Sequence, residues 1–155
     1  MSGQALSTPP PSPTLSGVVP ILRVEQLDAS VAYYVDKLGF ESKWRTGPMA
    51  SVLRGRTSIM LFEGDQGHPG TWLWVGTSDV DALYVEFQKR GARLRHPPTN
   101  YPWGSRECQV LDLDGHVLRF ASESKPGARL GEWLDGKGHL WAPQADGTWR
   151  LVDGL

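Results

Sequence analysis

An α+β fold made of two tandem βαβββ modules is the class this sequence predicts. Three observations predict it. One order of signals occurs twice between residues 17 and 123: an apolar β-branched run, an amphipathic helix, then three strand-like runs. A glycine closes each helix, Gly39 in the first copy and Gly91 in the second. Each copy alone is too small to cover both faces of its own sheet, so two must share a core and curl their mixed sheets around a cleft.

The first module spans about 17–66. It opens on "GVVPILRV" (17–24), a strand by its β-branched content. "LDASVAYYVDKLGF" (27–40) follows as a helix. Asp28 is placed to cap it, and Leu27, Val31, Tyr34, Val35 and Leu38 fall at helical spacing. Strands follow around Glu41–Trp44, Ala50–Leu53 and Ser58–Glu63. The second module spans about 70–123 and opens on "TWLWVGT" (71–77). Its helix, 78–92, has Ser78 or Asp79 as cap and Val80, Leu83 and Phe87 as stripe. Strands follow at Arg93–Arg95, Glu107–Asp112 and Val117–Ser122, with Asp114-Gly115 turning between the last two. The second copy is the longer, and its extra residues fall near "HPPTNYPWG" (96–104).

Outside the repeat lie two further pieces. "MSGQALSTPPPSPTLS" (1–16) has no charged side chain and reads as a disordered tail. It lacks the basic start and apolar run of a secretory signal, and no stretch approaches the ~20 apolar residues of a membrane span. Residues 126–155 form a tryptophan-rich extension beyond a domain of 17–125. Trp133, Trp141 and Trp149 stand eight residues apart, separated by turn-rich segments. A β-hairpin or meander with each turn midway sets the three indoles opposite one another, each cross-strand pair worth about 0.2–1 kcal/mol. Such a piece is a docked appendage, a lid over the cleft or a dimer contact.

Composition excludes some functions. A net charge of −1 gives no basic face for nucleic acid. Cys108 is the only cysteine, so no internal disulfide forms and a reducing cytoplasm fits. It has no Cys-x-x-Cys partner to activate it. His68 and His96 lie beside prolines, His116 follows the turn, and His139 sits in the extension. Each reads as a solvent-facing or turn residue. No phosphate loop or nucleophile elbow is present.

The duplicated βαβββ order resembles the vicinal-oxygen-chelate superfamily of glyoxalases, extradiol dioxygenases and bleomycin-resistance proteins. "VVPILRVEQLDASVAYYVDKLGF", "TWLWV" and "YPWGSRECQVLDLDGHVLRFASE" resemble most the bleomycin-resistance branch. Metal-dependent relatives place ligands on the first and last strands of each module. Those positions here hold Val19, Met60 or Leu61, Thr71 or Trp72, and Arg119, which make no ligand set. The resemblance therefore implies no metal and no cofactor, a binding rather than catalytic role, and a cytoplasmic homodimer with clefts near the subunit interface. It implies as ligand a flat aromatic molecule, a cationic glycopeptide antibiotic of the bleomycin type. Binders of that drug tend to be acidic, and this chain is not.

Strand alternation points Trp72 and Trp74 to one face, either to fill a core or to stack a flat ligand. Trp103, in a Pro/Gly loop, is the third candidate. Glu107 and Arg119 are charged residues on inner strands, paired with each other or with a ligand; Arg106 replaces Glu107 if the register slips by one. Met60 lines the cleft from the first module. Tyr34 has core spacing but also a path to the cleft. Two rival functions remain: a lyase, isomerase or dioxygenase with an atypical metal site, and a protein-interaction module with a large exposed apolar patch.

Overall fold

The computed structural model describes residue 3 and residues 12–152. Most of the tail expected to be disordered thus lies outside the described residues. Four strands of the first module, β1 (Ile21–Val24), β2 (Glu41–Thr46), β3 (Met49–Arg54) and β4 (Thr57–Glu63), form a sheet in the order β1-β4-β3-β2. The second module repeats this with β5 (Trp72–Gly76), β6 (Arg93–Asn100), β7 (Ser105–Leu111) and β8 (Val117–Glu123), in the order β5-β8-β7-β6. In each sheet the first and last strands pair in parallel and the others antiparallel. The α+β class and the duplicated module are as the sequence predicts.

Helix α1 (Leu27–Asp36) packs on the first sheet and α2 (Val80–Arg90) on the second. Alternating strand residues meet them: Leu22, Val24, Ala50, Val52, Ile59 and Leu61 in one sheet, Cys108, Val110, Leu118 and Phe120 in the other. These side chains belong to a single buried cluster, so the modules join through their helical layer.

Asp79 caps α2 as expected, accepting from the Ala82 amide at 3.0 Å, and Gly91 ends it at φ +77°. Asp28 does not cap α1. Gln26 holds that position, and Glu63 reaches over from β4 to accept the Leu27 amide at 2.8 Å. Asp28 is left to pair with Arg45 at the surface.

Strand β6 runs on to Asn100, past the expected Arg95. It is an edge strand with two register shifts flanking His96, so Pro97 and Pro98 sit where no ladder amide is needed.

Two aromatic residues of α1 and one histidine lock the modules together. The Tyr34 hydroxyl donates to Asp112 Oδ2 at 2.9 Å, and the Tyr33 hydroxyl to the Leu111 carbonyl at 2.6 Å. Tyr34 is 0% exposed and sits in the core, not on the face that carries the indoles. His116 is likewise buried, not solvent-facing: Nδ1 accepts the Thr71 amide at 3.0 Å and Nε2 donates to the Arg23 carbonyl at 2.6 Å. It closes the gap between the two modules.

The extension is a three-stranded meander of β9 (Trp133–Leu134), β10 (Leu140–Pro143) and β11 (Trp149–Leu151). Trp133 stands opposite Trp141, as expected, but Trp149 stands opposite Pro143. The second turn closes through a Gln144 amide to Thr148 carbonyl bond, which moves the register by two residues and keeps Trp149 on the same face.

Candidate functional site

The outward face of the second sheet carries the site. Leu73 and Val75 turn toward the core, so Trp72 and Trp74 both stand on the opposite face. The indoles therefore do not fill the core between sheet and helix; Trp72 packs instead on Trp133 and Arg95. Register places Trp74, Arg119 and Gln109 in one row across β5, β8 and β7, and Gly76, Ala121 and Glu107 in the next. That second row begins with two small residues. Trp74 leans over it and brings Nε1 to 3.4 Å from Glu107 Oε2.

Glu107 is the hub. It is 1% exposed and collects donors from Trp74, from Trp103 Nε1 at 2.7 Å, from the Ser105 hydroxyl and from Arg119 Nε at 2.8 Å. Burial pushes its carboxyl up, but the hydrogen bonds from Ser105, Trp103 and Arg119 outweigh burial and hold it below the usual range. It is a fixed anion whose charge Arg119 cancels at 2.7 Å. The two charged residues singled out in the sequence thus pair with each other. Arg106 faces elsewhere and pairs with Asp81.

Trp103 sits in a tight turn closed by the Tyr101 and Gly104 amides, where Gly104 takes φ +86°. Its ring stacks on Tyr101 at 4.7 Å and stays 49% exposed; Trp74 is 59% exposed. Two large flat surfaces are therefore offered outward while their N–H groups are held by one buried carboxylate.

The extension docks beside them. Trp133 enters among Trp72, Tyr101 and Trp103, with the Arg119 guanidinium 4.8 Å from its ring centre. Gln109 donates to the Leu134 carbonyl at 2.9 Å, and Arg95, stacked on Trp72, donates to the Asp135 carbonyl. Buried Asn100 holds the approach by bonds to the backbone of Lys125 and Ala128. Ser105, Arg95, Gln109, Asn100 and Tyr101 escape sequence reasoning because no motif marks them. The one visible signal is that Ser105, Gln109, Asn100 and Tyr101 lie close in sequence to Trp103 or Glu107; Arg95 has none.

A hollow of about 600 Å³ remains open between the turn and the meander, lined by Trp103, Arg119, Trp133, Asp135, Trp141 and Trp149. A hollow of about 720 Å³ between the modules, around Arg23, Glu63 and Asp114, has no aromatic lining. Met60 lies on the first sheet, paired with Ile21 and Ser51 and facing away from the helices, whereas Leu61 enters the core. Met60 is not among the residues that meet the indoles.

Residues 17–120 match the family model of the glyoxalase/bleomycin resistance protein/dioxygenase superfamily. The chain belongs to this superfamily. Among solved structures it is similar to the bleomycin-binding protein of bleomycin-producing Streptomyces verticillus in complex with copper(II)-bleomycin, at 27% identity and TM-score 0.60, covering 72% of this chain and 98% of that one. TioX from Micromonospora sp. ML1 is 24% identical, with TM-score 0.61 and coverage of 70% and 100%. A lactoylglutathione lyase from Agrobacterium tumefaciens is 22% identical, with TM-score 0.59 and coverage of 75% and 100%. The last two share the fold alone. No curated protein matches the chain.

The metal of the superfamily's enzymes finds no fitting donors at the corresponding positions. Val19 precedes β1, Met60 is a thioether, Thr71 spends its hydroxyl on the His68 carbonyl, Trp72 is an indole and Arg119 is a cation. Among the described residues no group of three His, Cys, Asp or Glu side chains converges. Burial pushes the Cys108 thiol up to about 12, so it is no nucleophile at neutral pH.

Proposed function

We propose that this protein binds a flat aromatic small molecule and sequesters it unchanged, without a metal or cofactor. The ligand type is a cationic aromatic antibiotic such as bleomycin. The observation that carries the reading is the exposed pair Trp74 and Trp103, pinned by their N–H groups to the buried Glu107–Arg119 pair. Indoles so fixed lose little freedom when a ring stacks on them, and each contact with a ring or a cation contributes about 0.5–2 kcal/mol. The bleomycin complex of the Streptomyces relative supports the ligand class.

The reading includes a homodimer in the cytoplasm. The outward face of the first sheet, with Met60 and the partly exposed Ile21, supports a second copy as the other wall of the cleft. The lone, unpaired Cys108 supports a reducing compartment. No described helix is long and apolar enough to cross a membrane.

Titration with metal-free bleomycin, read by intrinsic tryptophan fluorescence and corrected for drug absorbance, tests the proposal. Saturable quenching near one drug per chain, weakened in folded Trp74→Ala and Trp103→Ala, is the expected result. No saturable change and no heat of binding would remove bleomycin as ligand.

A further inference from the structure

The extension does more than cover a sheet. It lies outside the residues that match the superfamily, yet it supplies four of the six lining residues of the aromatic hollow: Trp133, Asp135, Trp141 and Trp149. The sheet and its turn supply Arg119 and Trp103. The meander places its three indoles on one face, because Trp133 pairs with Trp141 and Trp149 with Pro143 two residues on. Trp149 packs on Trp103 with ring centres 6.0 Å apart, which closes the wall. The volume, about 600 Å³, suits a drug-sized ring system.

Charge selects the occupant. Arg119 brings no net charge, since Glu107 lies 2.7 Å away. Arg95 lies behind the wall on Trp72 and spends its donors on Gln109 and on the backbone of Leu134 and Asp135. Asp135 faces the hollow as a carboxylate, held in place by Trp141 Nε1 at 2.9 Å and by the Lys137 and His139 amides. His139 Nδ1 lies 3.4 Å from it and is not among the residues that line the hollow. Indole faces are themselves electron-rich. The wall is therefore aromatic and negative, a combination that favours a delocalised cation over an anion or a neutral ring.

We infer that the C-terminal extension builds its own subsite, a tryptophan-walled hollow that takes a planar aromatic cation with Asp135 as counter-charge. This extends the proposed binding role to a segment outside the residues that match the superfamily, but its probe is independent of bleomycin. The full chain is titrated calorimetrically at low ionic strength with proflavine, a three-ring planar cation, and with 9-anthracenecarboxylate, a planar anion of similar area. Proflavine saturates at one per chain and the anion binds far more weakly. Asp135→Asn and Trp149→Ala each weaken proflavine by about tenfold or more. Near-ultraviolet circular dichroism confirms that the meander persists, and Trp149→Ala leaves the Asp135 turn untouched if the first variant loosens it. Equal binding of cation and anion, or wild-type affinity in both variants, overturns the inference. Proflavine binding without bleomycin binding supports the hollow and refutes the bleomycin reading. Bleomycin binding without proflavine binding does the reverse.

Discussion

Glu107→Gln removes one charge from the centre of the site and almost no volume. Glutamine keeps one carbonyl oxygen for an indole N–H, but its amide nitrogen meets the remaining donors as another donor. Arg119 loses its counter-ion. Breaking a buried ion pair from one side costs about 3–5 kcal/mol. The Arg119 side chain is 26% exposed and regains part of its hydration, which places the loss near the lower end, about 3 kcal/mol. For a chain of this size that lowers the melting temperature by about 6–12 °C. Urea and thermal unfolding read the loss. Replacing the partner too, in Glu107→Gln/Arg119→Met, recovers part of it because no unpaired cation remains. A single variant within about 0.5 kcal/mol of wild type would refute the assignment of Glu107 as the hub.

Other perturbations follow from the same contacts. Gly131→Ala points a methyl group into Thr99 Cγ2 and loosens the approach to the meander by about 1–3 kcal/mol, and Thr99→Ser, which removes that carbon, restores it in a double-mutant cycle. His116→Ala leaves the Thr71 amide and Arg23 carbonyl without partners and costs about 2–4 kcal/mol by urea unfolding. Tyr34→Phe costs about 1 kcal/mol through the lost Asp112 bond and leaves ligand affinity unchanged. The Trp141 N–H and the His139 and Lys137 amides hold the Asp135 carboxyl at about 2, against 3.8 when free. Folded-state pKa is thus depressed, so the contribution of Asp135 is complete above about pH 4 and is lost as pH falls toward 2. Hydrogen-exchange protection factors of the meander fall over that window, and Asp135→Asn flattens the fall.

Much of the fold was legible because it repeats. Helical spacing and the closing glycines are local signals that the structure keeps in both modules, as it keeps the Asp-Gly turn of the second. The shared face of Trp72 and Trp74 was legible for a similar reason, since strand parity is fixed over two residues. What was not legible lies far apart in sequence. Tyr34 reads as packing or cleft until Asp112 is seen beneath its hydroxyl, 78 residues away. His116 looks like a turn residue until Thr71 and Arg23 close on both its nitrogens. Trp149 missed Trp141 because turn geometry, not spacing, sets hairpin register. The seat of the extension on the second sheet depends on Arg95, Gln109 and Asn100 reaching backbone carbonyls, a bond any sequence can offer. Glu107 and Arg119 were visible as charges on inner strands. That they pair with each other, and that Glu107 also takes the indole N–H groups, needed the register of β7 against β8.

In the function proposed above, a flat aromatic ligand rests on indoles fixed by Glu107 and leaves unchanged. Calorimetric titration with metal-free bleomycin, followed by mass spectrometry of the released drug, tests it most directly. Saturable binding near one drug per chain, weaker in Trp103→Ala, with drug recovered at unchanged mass, is the expected result. Absence of binding by the folded protein, or recovery of a chemically altered drug, would contradict it.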